Sequence, residues 1–407
     1  MIFIGHDWAE AHHDICVEDD QGTVLAQRRF PENVDGLAKM HELIGEHAGD
    51  ASDVVVGTET DRGFFALSMV AAGYEVHAIN PLSASRYRDR HGSSRAKSDR
   101  SDAKMLAEIV RADRHNHRSI GNDSDEAKVI GVLARTHQNF IWDRQRQANM
   151  LRSTLREFYP GALGAFGDNL ESGDAVEVLI VAPSPSHGRK LPLSQIESAL
   201  RRGGRQRSVK VRAIEIQQHL RAEHLGISAA MSEAFAVMVK STAKVLGEMN
   251  RQIKSLEQEL ANHFEKHPDA EIICSLPGLG TVLGARALGE FGDDPNRYVD
   301  AKSRKNSAGT SPITRASGIK RVVVRRIAKN NRRTNACHQW AFCALSQSPG
   351  ARAFYERLRA KGNGHNQALR TVANRLVGIL HGCLTHRTLY DEAIAWPSLQ
   401  EAEAKAA

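Results

Sequence analysis

Hydrophobic and polar residues alternate over the first eighty positions in a way that predicts a mixed α/β domain. Short apolar runs bounded by polar turns indicate strands, and apolar residues spaced three and four apart indicate helices. The expected elements, in order, are strands at 1–7, 12–18 and 23–30, a helix at 34–48, a strand at 53–58, a helix at 62–72 and a strand at 74–79.

The order of these elements favours one sheet topology. Three consecutive strands followed by alternating helices and strands is the order of a ribonuclease-H-like sheet, although periodicity alone does not separate it from other mixed α/β folds. Asn80-Pro81 ends the last of these strands. The basic stretch at 86–95, which contains Gly92, predicts a flexible loop before a helix at 99–113.

The rest of the chain has mostly helical periodicity. A long helix is expected at 124–158, where Tyr159-Pro160-Gly161 stops it. Between 236 and 266 apolar residues repeat in steps of three and four, as in the seam of a coiled coil. A helix packed within its own chain is the alternative. The seam residues are Leu246, Met249, Ile253, Leu256 and Leu260. Helices at 334–346 and 365–386 are expected to close the last domain.

Length and these patterns together predict several domains, because 407 residues exceed the usual size of one. We expect an α/β ribonuclease-H-like amino-terminal domain, a helical middle region with the coiled coil, and a mainly α carboxy-terminal domain. The predicted bounds are 1–158, 159–268 and 269–395, with a tail at 396–407. Apolar runs are too short to span a bilayer and no signal-like segment opens the chain, so a soluble cytoplasmic protein is expected.

Charge is distributed unevenly along the chain. Residues 1–80 hold 4 Lys and Arg against 15 Asp and Glu, a balance of −11. Since the net charge of the chain is +7, residues 81–407 carry a balance of +18. Residues 302–333 hold eleven Lys and Arg and no acid. This asymmetry indicates an acidic lobe joined to a surface that binds polyanions, with a solvated charged surface as the alternative.

Glycines in the segment Leu276-Pro277-Gly278-Leu279-Gly280-Thr281 are typical of the turn in a helix-hairpin-helix element. Such a turn exposes backbone N–H groups that hold phosphate. An ordinary turn between two helices is the alternative. The five cysteines are scattered and form no Cys-x-x-Cys pair, which indicates buried thiols rather than a disulfide framework or a zinc site.

Four carboxylates suggest a metal site. Asp7 and Glu59 follow apolar, strand-like runs whose ends meet at one edge of a sheet. Asp99 and Asp102 share one face of the expected helix, and two anions side by side need a cation between them. A pair of Mg²⁺ ions acting on a phosphodiester would suit four such ligands. Other acids nearby are expected at the surface, namely Glu10, Asp14 and Asp61. His12 and His13 could assist the site, but at a strand start a structural role is the expectation.

Several motifs, in the same order, resemble the DEDD transposases, which are the insertion-sequence recombinases of the one-ten family. In the amino-terminal part these are Gly5-His6-Asp7-Trp8-Ala9-Glu10, His12-His13-Asp14, Gly57-Thr58-Glu59-Thr60, Asn80-Pro81 and Lys97-Ser98-Asp99-Arg100-Ser101-Asp102-Ala103. In the carboxy-terminal part they are Leu276-Pro277-Gly278-Leu279-Gly280 and the run from Ala308 to Gly318. Many members have Gly-Lys after the first Asp, where this chain has Ala9-Glu10.

The resemblance implies a RuvC-like catalytic domain and a separate transposase domain. It places the acidic quartet, which binds Mg²⁺, on Asp7, Glu59, Asp99 and Asp102. It places the serine nucleophile on Ser317, with Ser311 as the rival. Five cations near it could neutralise DNA phosphates. They are Arg315, Lys320, Arg321, Arg325 and Arg326.

The resemblance also implies the reaction and its partners. Members excise and insert a mobile element through a covalent serine–DNA link, and a bridge RNA pairs with donor and target DNA. Dimers or tetramers would assemble through the coiled coil, and we expect the protein near the nucleoid. Two alternatives stay open: a RuvC-like junction endonuclease that uses water, and a catalytically inactive nucleic-acid-binding regulator.

Overall fold

A computed structural model describes residues 1–60, 63–91, 98–120, 123–223, 225–317, 320–327 and 329–397. The chain forms two compact units. The first comprises Met1–Asp123 and the short segment Asp294–Val299, and the second comprises Ser124–Asp293 and Asp300–Ala407. The domain bounds predicted from the sequence stay a prediction.

The first unit is built on a six-stranded mixed sheet with the strand order β3-β2-β1-β4-β5-β6. Its elements are β1 (Ile2–Trp8), β2 (His12–Glu18), β3 (Val24–Pro31), α1 (Val34–Gly45), β4 (Val54–Thr58), α2 (Phe64–Ala71), β5 (Glu75–Ala78), α3 (Pro81–His91), α4 (Asp99–Asp113) and β6 (Arg118–Ser119). β1 runs antiparallel to β2 and parallel to β4. The predicted mixed α/β class and its first five strands are confirmed; the two-residue β6 was not predicted.

The basic stretch before α4 differs from the prediction. Helix α3 covers the chain up to His91, so the first part of the expected loop at 86–95 is helical. Pro81 begins this helix, where a missing N–H costs nothing, and the Asn80 side chain accepts a hydrogen bond of 2.9 Å from the Leu82 N–H. Residues 92–97, including Gly92, lie outside the described residues.

Alternation along the strands gives the sheet two different faces. On one face Ile2 and Ile4 join a core that includes Met40 of α1 and Met69 of α2. On the other face Phe3 and Val55 join a core with α4, and Leu106 is buried there. Residues 3, 5 and 7 of β1 therefore face α4.

The backbone of α4 lies unusually close to this second face. A Cβ atom added to Gly5 would lie 1.7 Å from the carbonyl oxygen of Ala103, and one added to Gly57 would lie 2.6 Å from the carbonyl oxygen of Leu106. Gly5 and Gly57 are register partners in β1 and β4. The two glycines thus provide the space in which the helix crosses the sheet.

The second unit is mainly helical. Its elements are α5 (Asp125–Phe158), α6 (Pro160–Phe166), α7 (Gly173–Val181), α8 (Pro185–Lys190), α9 (Leu193–Arg202), α10 (Val209–Arg221), α11 (Ala229–Phe264), α12 (Ala270–Ser275), α13 (Thr281–Phe291), α14 (Ala301–Ala308), β7 (Ile313–Ser317), β8 (Lys320–Val324), α15 (Asn331–Ala344), α16 (Pro349–Ala360), α17 (His365–His386) and α18 (Glu392–Ala395). The described helices lack any stretch with the length and apolar character of a membrane span.

The long helix α11 packs inside its own chain. It contacts α5, α7 and α13, and three of its five predicted seam residues are buried: Leu246, Ile253 and Leu260. This is the alternative that heptad spacing left open, since two long helices packed in one chain use the same spacing. Assembly of subunits through α11 stays a prediction.

The glycine turn between α12 and α13 does not offer its backbone to a ligand at Gly278. This glycine has a φ of +83° and is buried, and an added Cβ would lie 2.6 Å from the Ala344 nitrogen. Its N–H donates to Oε1 of Gln347 at 2.7 Å. The expected exposed phosphate-binding N–H is therefore wrong at Gly278, while the helix-hairpin-helix interpretation of the turn stays a prediction.

The last described helix, α18, leads into a packed residue rather than a frayed end. Trp396 is buried, and its ring lies 4.5 Å below the Arg375 guanidinium. The predicted tail at 396–407 therefore begins with a residue of the packed fold. Residues 398–407 lie outside the described residues.

Candidate carboxylate site and hairpin serine

Asp7 and Glu59 lie at the same edge of the sheet. Asp7 is near the end of β1, and Glu59 directly follows β4. Because His6 and Thr58 are register partners in these parallel strands, the two acids follow neighbouring positions. Asp7 is half-buried and Glu59 is exposed. The sequence prediction that strand ends deliver these carboxylates to one edge is thus supported by the register.

Helix α4 brings the other two predicted acids to this region. Ser98 caps its first turn, since its side chain accepts from the Ser101 N–H and the Ser101 hydroxyl accepts from the Ser98 N–H. Asp99 and Asp102 both lie in that first turn, where the helix dipole favours negative charge. Asp102 is buried, and Nη2 of Arg88 lies 2.8 Å from its Oδ1.

The acids act on each other electrostatically. Burial, followed by the charges of Asp102, Glu59, Asp99 and Asp14, raises the pKa of Asp7 to about 6. The charges of the other three members of the predicted quartet therefore act on the Asp7 carboxyl. A proton or a cation relieves such repulsion between anions.

Asp14, expected at the surface, is a fifth member of this group. It is the register partner of Asp7 across the β1–β2 hairpin and is 7% exposed. Arg29 of β3 donates to it from Nε (3.1 Å) and Nη2 (2.8 Å), and the same Nη2 donates to Asp99 at 2.8 Å. The expectation for Asp14 was wrong because strand pairing turns its side chain under α4. Glu10 is exposed as expected, and Asp61 lies outside the described residues.

One tight group of metal-competent atoms occurs within the described part of the chain. It consists of His12, Asp14 and Asp99, whose ligand atoms lie within 4.8 Å of one another. Nε2 of His12 is 3.6 Å from Asp14 and 3.5 Å from Asp99. The hydrogen bond from His12 and then that from Arg29 lower the pKa of Asp99. His12, expected to be structural, thus belongs to the site.

This donor set fits a divalent cation. Carboxylate oxygens are the ligands that Mg²⁺ prefers. The neighbouring acids add to the effect of burial in raising the pKa of Asp7, and a bound cation would oppose their repulsion. Arg29 is the counter-ion of Asp14 and Asp99, and Arg88 is the counter-ion of Asp102.

His13 belongs to a separate, buried network on the opposite face of the sheet. His6 Nδ1 is 3.1 Å from the Thr58 hydroxyl, and its Nε2 is 2.8 Å from Nδ1 of His13. His13 contacts Glu32 and stacks on Phe65 at 3.5 Å. Burial, followed by the neighbouring His13, lowers the pKa of His6 to about 3. His13 is therefore structural, as expected.

Ser317 lies at the end of a hairpin in the second unit. It closes β7, pairs with Lys320 of β8, and is exposed. The rival Ser311 is half-buried, with its hydroxyl 3.3 Å from Oδ1 of Asn374. The sequence analysis missed this hairpin, although the β-branched run at 322–324 signals a strand.

The predicted phosphate-binding cations near Ser317 differ in their surroundings. Arg325 is exposed, and Arg326 donates to Oδ1 of Asn306 at 3.2 Å. The backbones of the other three lie in the hairpin, while their side chains are outside the described atoms: Arg315, Lys320 and Arg321. The structure thus collects the four acids in one unit and places the serine and these cations in the other.

Comparison with known proteins gives a consistent result over both units. Residues 4–160 match a transposase family of the IS110 DEDD type, and residues 270–356 match the IS116/IS110/IS902 transposase family. The chain is 44% identical over 407 residues to the mini-circle transposase for IS117 of Streptomyces coelicolor, covering 99% of this chain and 98% of the relative. It is also 27% identical over 402 residues to a 44.8 kDa protein of insertion element IS116 of Streptomyces clavuligerus, covering 96% of each.

Proposed function

This chain belongs to the IS110/IS116 family of transposases and is therefore a DNA-processing enzyme, and on that premise we propose that it excises and inserts a mobile element by a serine-linked strand exchange. The observation that supports the proposal is the position of four acids, Asp7 and Glu59 at the neighbouring ends of β1 and β4, and Asp99 and Asp102 in the first turn of α4, which packs on those strands. Such a cluster of acids is the arrangement a phosphodiester-cleaving metal site requires.

Asp7, Glu59, Asp99 and Asp102 would hold Mg²⁺, with His12 and Asp14 beside them. When bound, Mg²⁺ supplies Lewis-acid stabilisation of charge on the reacting phosphate. The arginine side chains of the protein have a different role from the metal ion. Arg29 and Arg88 would balance part of the negative charge of the carboxylates through the contacts described above. Arg325 lies exposed near the hairpin and would contact DNA phosphates without holding the metal.

Ser317 would attack the scissile phosphate. A bond forms between its Oγ and phosphorus, the bond to one sugar oxygen breaks, and that oxygen leaves with a proton equivalent to the one the serine lost. Attack by a sugar hydroxyl of another strand reverses the step and releases Ser317. The number of phosphodiester bonds is conserved, so joining needs no external energy source. The exposed position of Ser317 supports this role.

We extend the proposal to the partners of the reaction. Donor and target DNA would be chosen by a bridge RNA, which the resemblance of the sequence motifs implies. The excess of eighteen positive charges beyond residue 80 supports contact with extended polyanions. Two or four copies of the chain would assemble the complex.

The decisive experiment compares Ser317→Ala with Ser311→Ala in a strand-exchange assay with element-end DNA and the RNA encoded beside the reading frame. Ser317→Ala should abolish both recombination and the protein–DNA adduct that survives SDS. Ser311→Ala should retain both, because its hydroxyl already bonds Asn374. Normal recombination by Ser317→Ala would refute the serine mechanism.

A water-using endonuclease is the second candidate, and the location of all four acids in one unit favours it. It predicts metal-dependent DNA cleavage by Ser317→Ala without a covalent adduct. An inactive regulator predicts DNA binding with no cleavage at any Mg²⁺ concentration.

A further inference from the structure

The second unit contains two adjoining concave pockets at the base of the β7–β8 hairpin. Their volumes are about 420 and 340 Å³, and they share Thr310, Arg325 and Arg370. Lys329 and His338 line the second pocket. Among the described lining residues of either pocket there is no Asp or Glu. We call these two cavities the basic pocket.

Three cations of the basic pocket lack a counter-ion among the residues that the structure describes. Within the described part of the chain, no carboxylate lies within 4.0 Å of Arg325, Lys329 or Arg370. Neighbouring arginines differ. Arg332 donates to Oδ1 of Asn139 at 2.8 Å, and buried Arg333 donates to the Glu290 carbonyl. The cations of the basic pocket are therefore available to an external ligand, whereas Arg332 and Arg333 hold the fold together.

The pocket concentrates positive potential. Burial, followed by the charges of Arg370 and Arg325, lowers the pKa of Lys329. Two helices also begin there. Asn331 opens α15, and Asn366 and Gln367 lie in the first turn of α17, whose start at Gly364 has no capping side chain. Helix amino termini favour anions, so these turns add to the attraction of the side chains.

We propose that the basic pocket binds a backbone phosphate of a nucleic-acid strand, held by Arg370, Lys329 and Arg325. The guanidinium group of an arginine can donate two parallel hydrogen bonds to the oxygens of one phosphate. The site is separate from the reacting serine: Ser317 lies five residue steps along the strand from Pro312 at the pocket, or about 16 Å at the strand rise. That span equals the rise of roughly five base pairs along the axis of B-DNA. The pocket would thus anchor a phosphate away from the scissile one.

This inference rests on the proposed function for the nature of the ligand, but it is independent of the serine chemistry. The test uses the full chain and fluorescence anisotropy with a labelled 20-nucleotide DNA strand, the matching RNA and the DNA duplex. The variants are Arg325→Gln, whose side chain is exposed, and the double variant Lys329→Gln/Arg370→Gln. Arg359→Gln is the control, since Arg359 is an exposed arginine of α16 outside the pocket.

We expect the double variant to bind at least one of the three probes about tenfold more weakly. For a single strand, the slope of log affinity against log salt should fall by about 0.7, the loss of one phosphate contact. Arg325→Gln should shift in the same direction by a smaller factor, and Arg359→Gln should stay within about twofold of the parent protein. A loss confined to RNA or to DNA identifies which strand occupies the pocket.

Equal binding by the pocket variants and Arg359→Gln would overturn the proposal. If the double variant has a lowered melting temperature, its weaker binding could come from partial unfolding. The proposal is then tested by comparing the nucleic-acid affinities of Arg325→Gln and Arg359→Gln. A failure of the serine mechanism can be distinguished from a failure of this proposal. In that case Ser317→Ala would recombine normally, while the pocket variants would still bind nucleic acid more weakly.

Discussion

Gly5 and Gly57 are paired residues of adjacent parallel strands, and the backbone of α4 crosses both without an intervening side chain. This close crossing sets the height of α4 above the sheet. It therefore also sets the position of Asp99 and Asp102, which begin that helix, relative to Asp7 at the strand end. A steric feature of the core thus controls the geometry of the carboxylate site.

Gly5→Ala should damage both stability and activity. The added methyl group would lie 1.7 Å from the Ala103 carbonyl oxygen and 2.6 Å from the Ala107 nitrogen, both backbone atoms that cannot rotate away. We expect the free energy of unfolding to fall by about 3 kcal/mol, as for other overpacked cores. Urea denaturation followed by circular dichroism measures this change.

Gly45→Ala is the matched control for that substitution. Gly45 ends α1 in the same unit, and an added Cβ meets nothing within 4 Å. Alanine there should leave stability unchanged or raise it by up to about 1 kcal/mol. If both variants unfold at the same urea concentration as the parent protein, the close approach of α4 is not a constraint.

Cation binding should weaken below neutral pH. The pKa of Asp7 is raised to about 6, so this carboxyl retains its proton at pH 5 and loses it by pH 7. A ligand must be deprotonated to bind a metal, so Mn²⁺ affinity should fall about tenfold between pH 7 and pH 5. Mn²⁺ titration followed by electron paramagnetic resonance measures it. Asp7→Asn should bind weakly at both pH values; an unchanged pH dependence in this variant would exclude Asp7 as its source.

Arg29→Ala should make the carboxylates of Asp14 and Asp99 more available to a metal ion. Arg29 bridges Asp14 and Asp99, so its removal leaves both without this counter-ion and should tighten Mn²⁺ binding several-fold. The cost in stability should be small, because the Arg29 side chain is exposed to solvent and its ion pairs are screened. Arg28→Ala is the control, since Arg28 is the neighbouring residue of β3 and points to the opposite face. Identical Mn²⁺ affinities in the two variants would show that Arg29 does not compete with the cation.

Glu18 should make the first unit less stable at alkaline pH. Its carboxylate is fully buried, and burial, followed by the charge of Glu108, raises its pKa to about 7. A raised pKa in the folded state stabilises the protein below the unfolded pKa, and this stability is lost as pH rises through 7.

Glu18→Gln should therefore raise the free energy of unfolding at pH 8 by about 1–3 kcal/mol relative to its effect at pH 5. Thermal unfolding at both pH values measures the difference. Glu10→Gln, at an exposed position, should show no such difference. An equal effect of Glu18→Gln at both pH values would contradict the shift.

Much of the carboxylate site could be predicted from the sequence because strand ends and helix spacing are local signals. Asp7 and Glu59 end apolar runs, and Asp99 and Asp102 are three residues apart in a capped helix. Asp14 was missed because its burial depends on the pairing of β2 with β1 and on the cover of α4, which no local pattern reveals.

In the second unit, local patterns were less informative. Heptad spacing predicted α11 but could not identify its partner, since the same spacing suits a helix of the same chain or of another subunit. The hairpin of Ser317 lies in a segment whose many Lys and Arg residues mask the alternation typical of strands. The basic pocket depends on Arg370, which is distant in sequence from the basic segment at 302–333.

The first unit is discontinuous in sequence, and this affects how the protein can be dissected. Its segment Asp294–Val299 returns from the other half of the chain, with Arg297 donating to Oδ2 of Asp123 at 2.6 Å and the Asp294 N–H donating to Oδ1 of Asp123 at 3.3 Å. A fragment that ends at Asp123 would lack a piece of its own unit. Swapping amino-terminal halves between relatives would likewise separate Asp123 from its arginine, so functional chimeras should exchange the short returning segment together with the half that it completes.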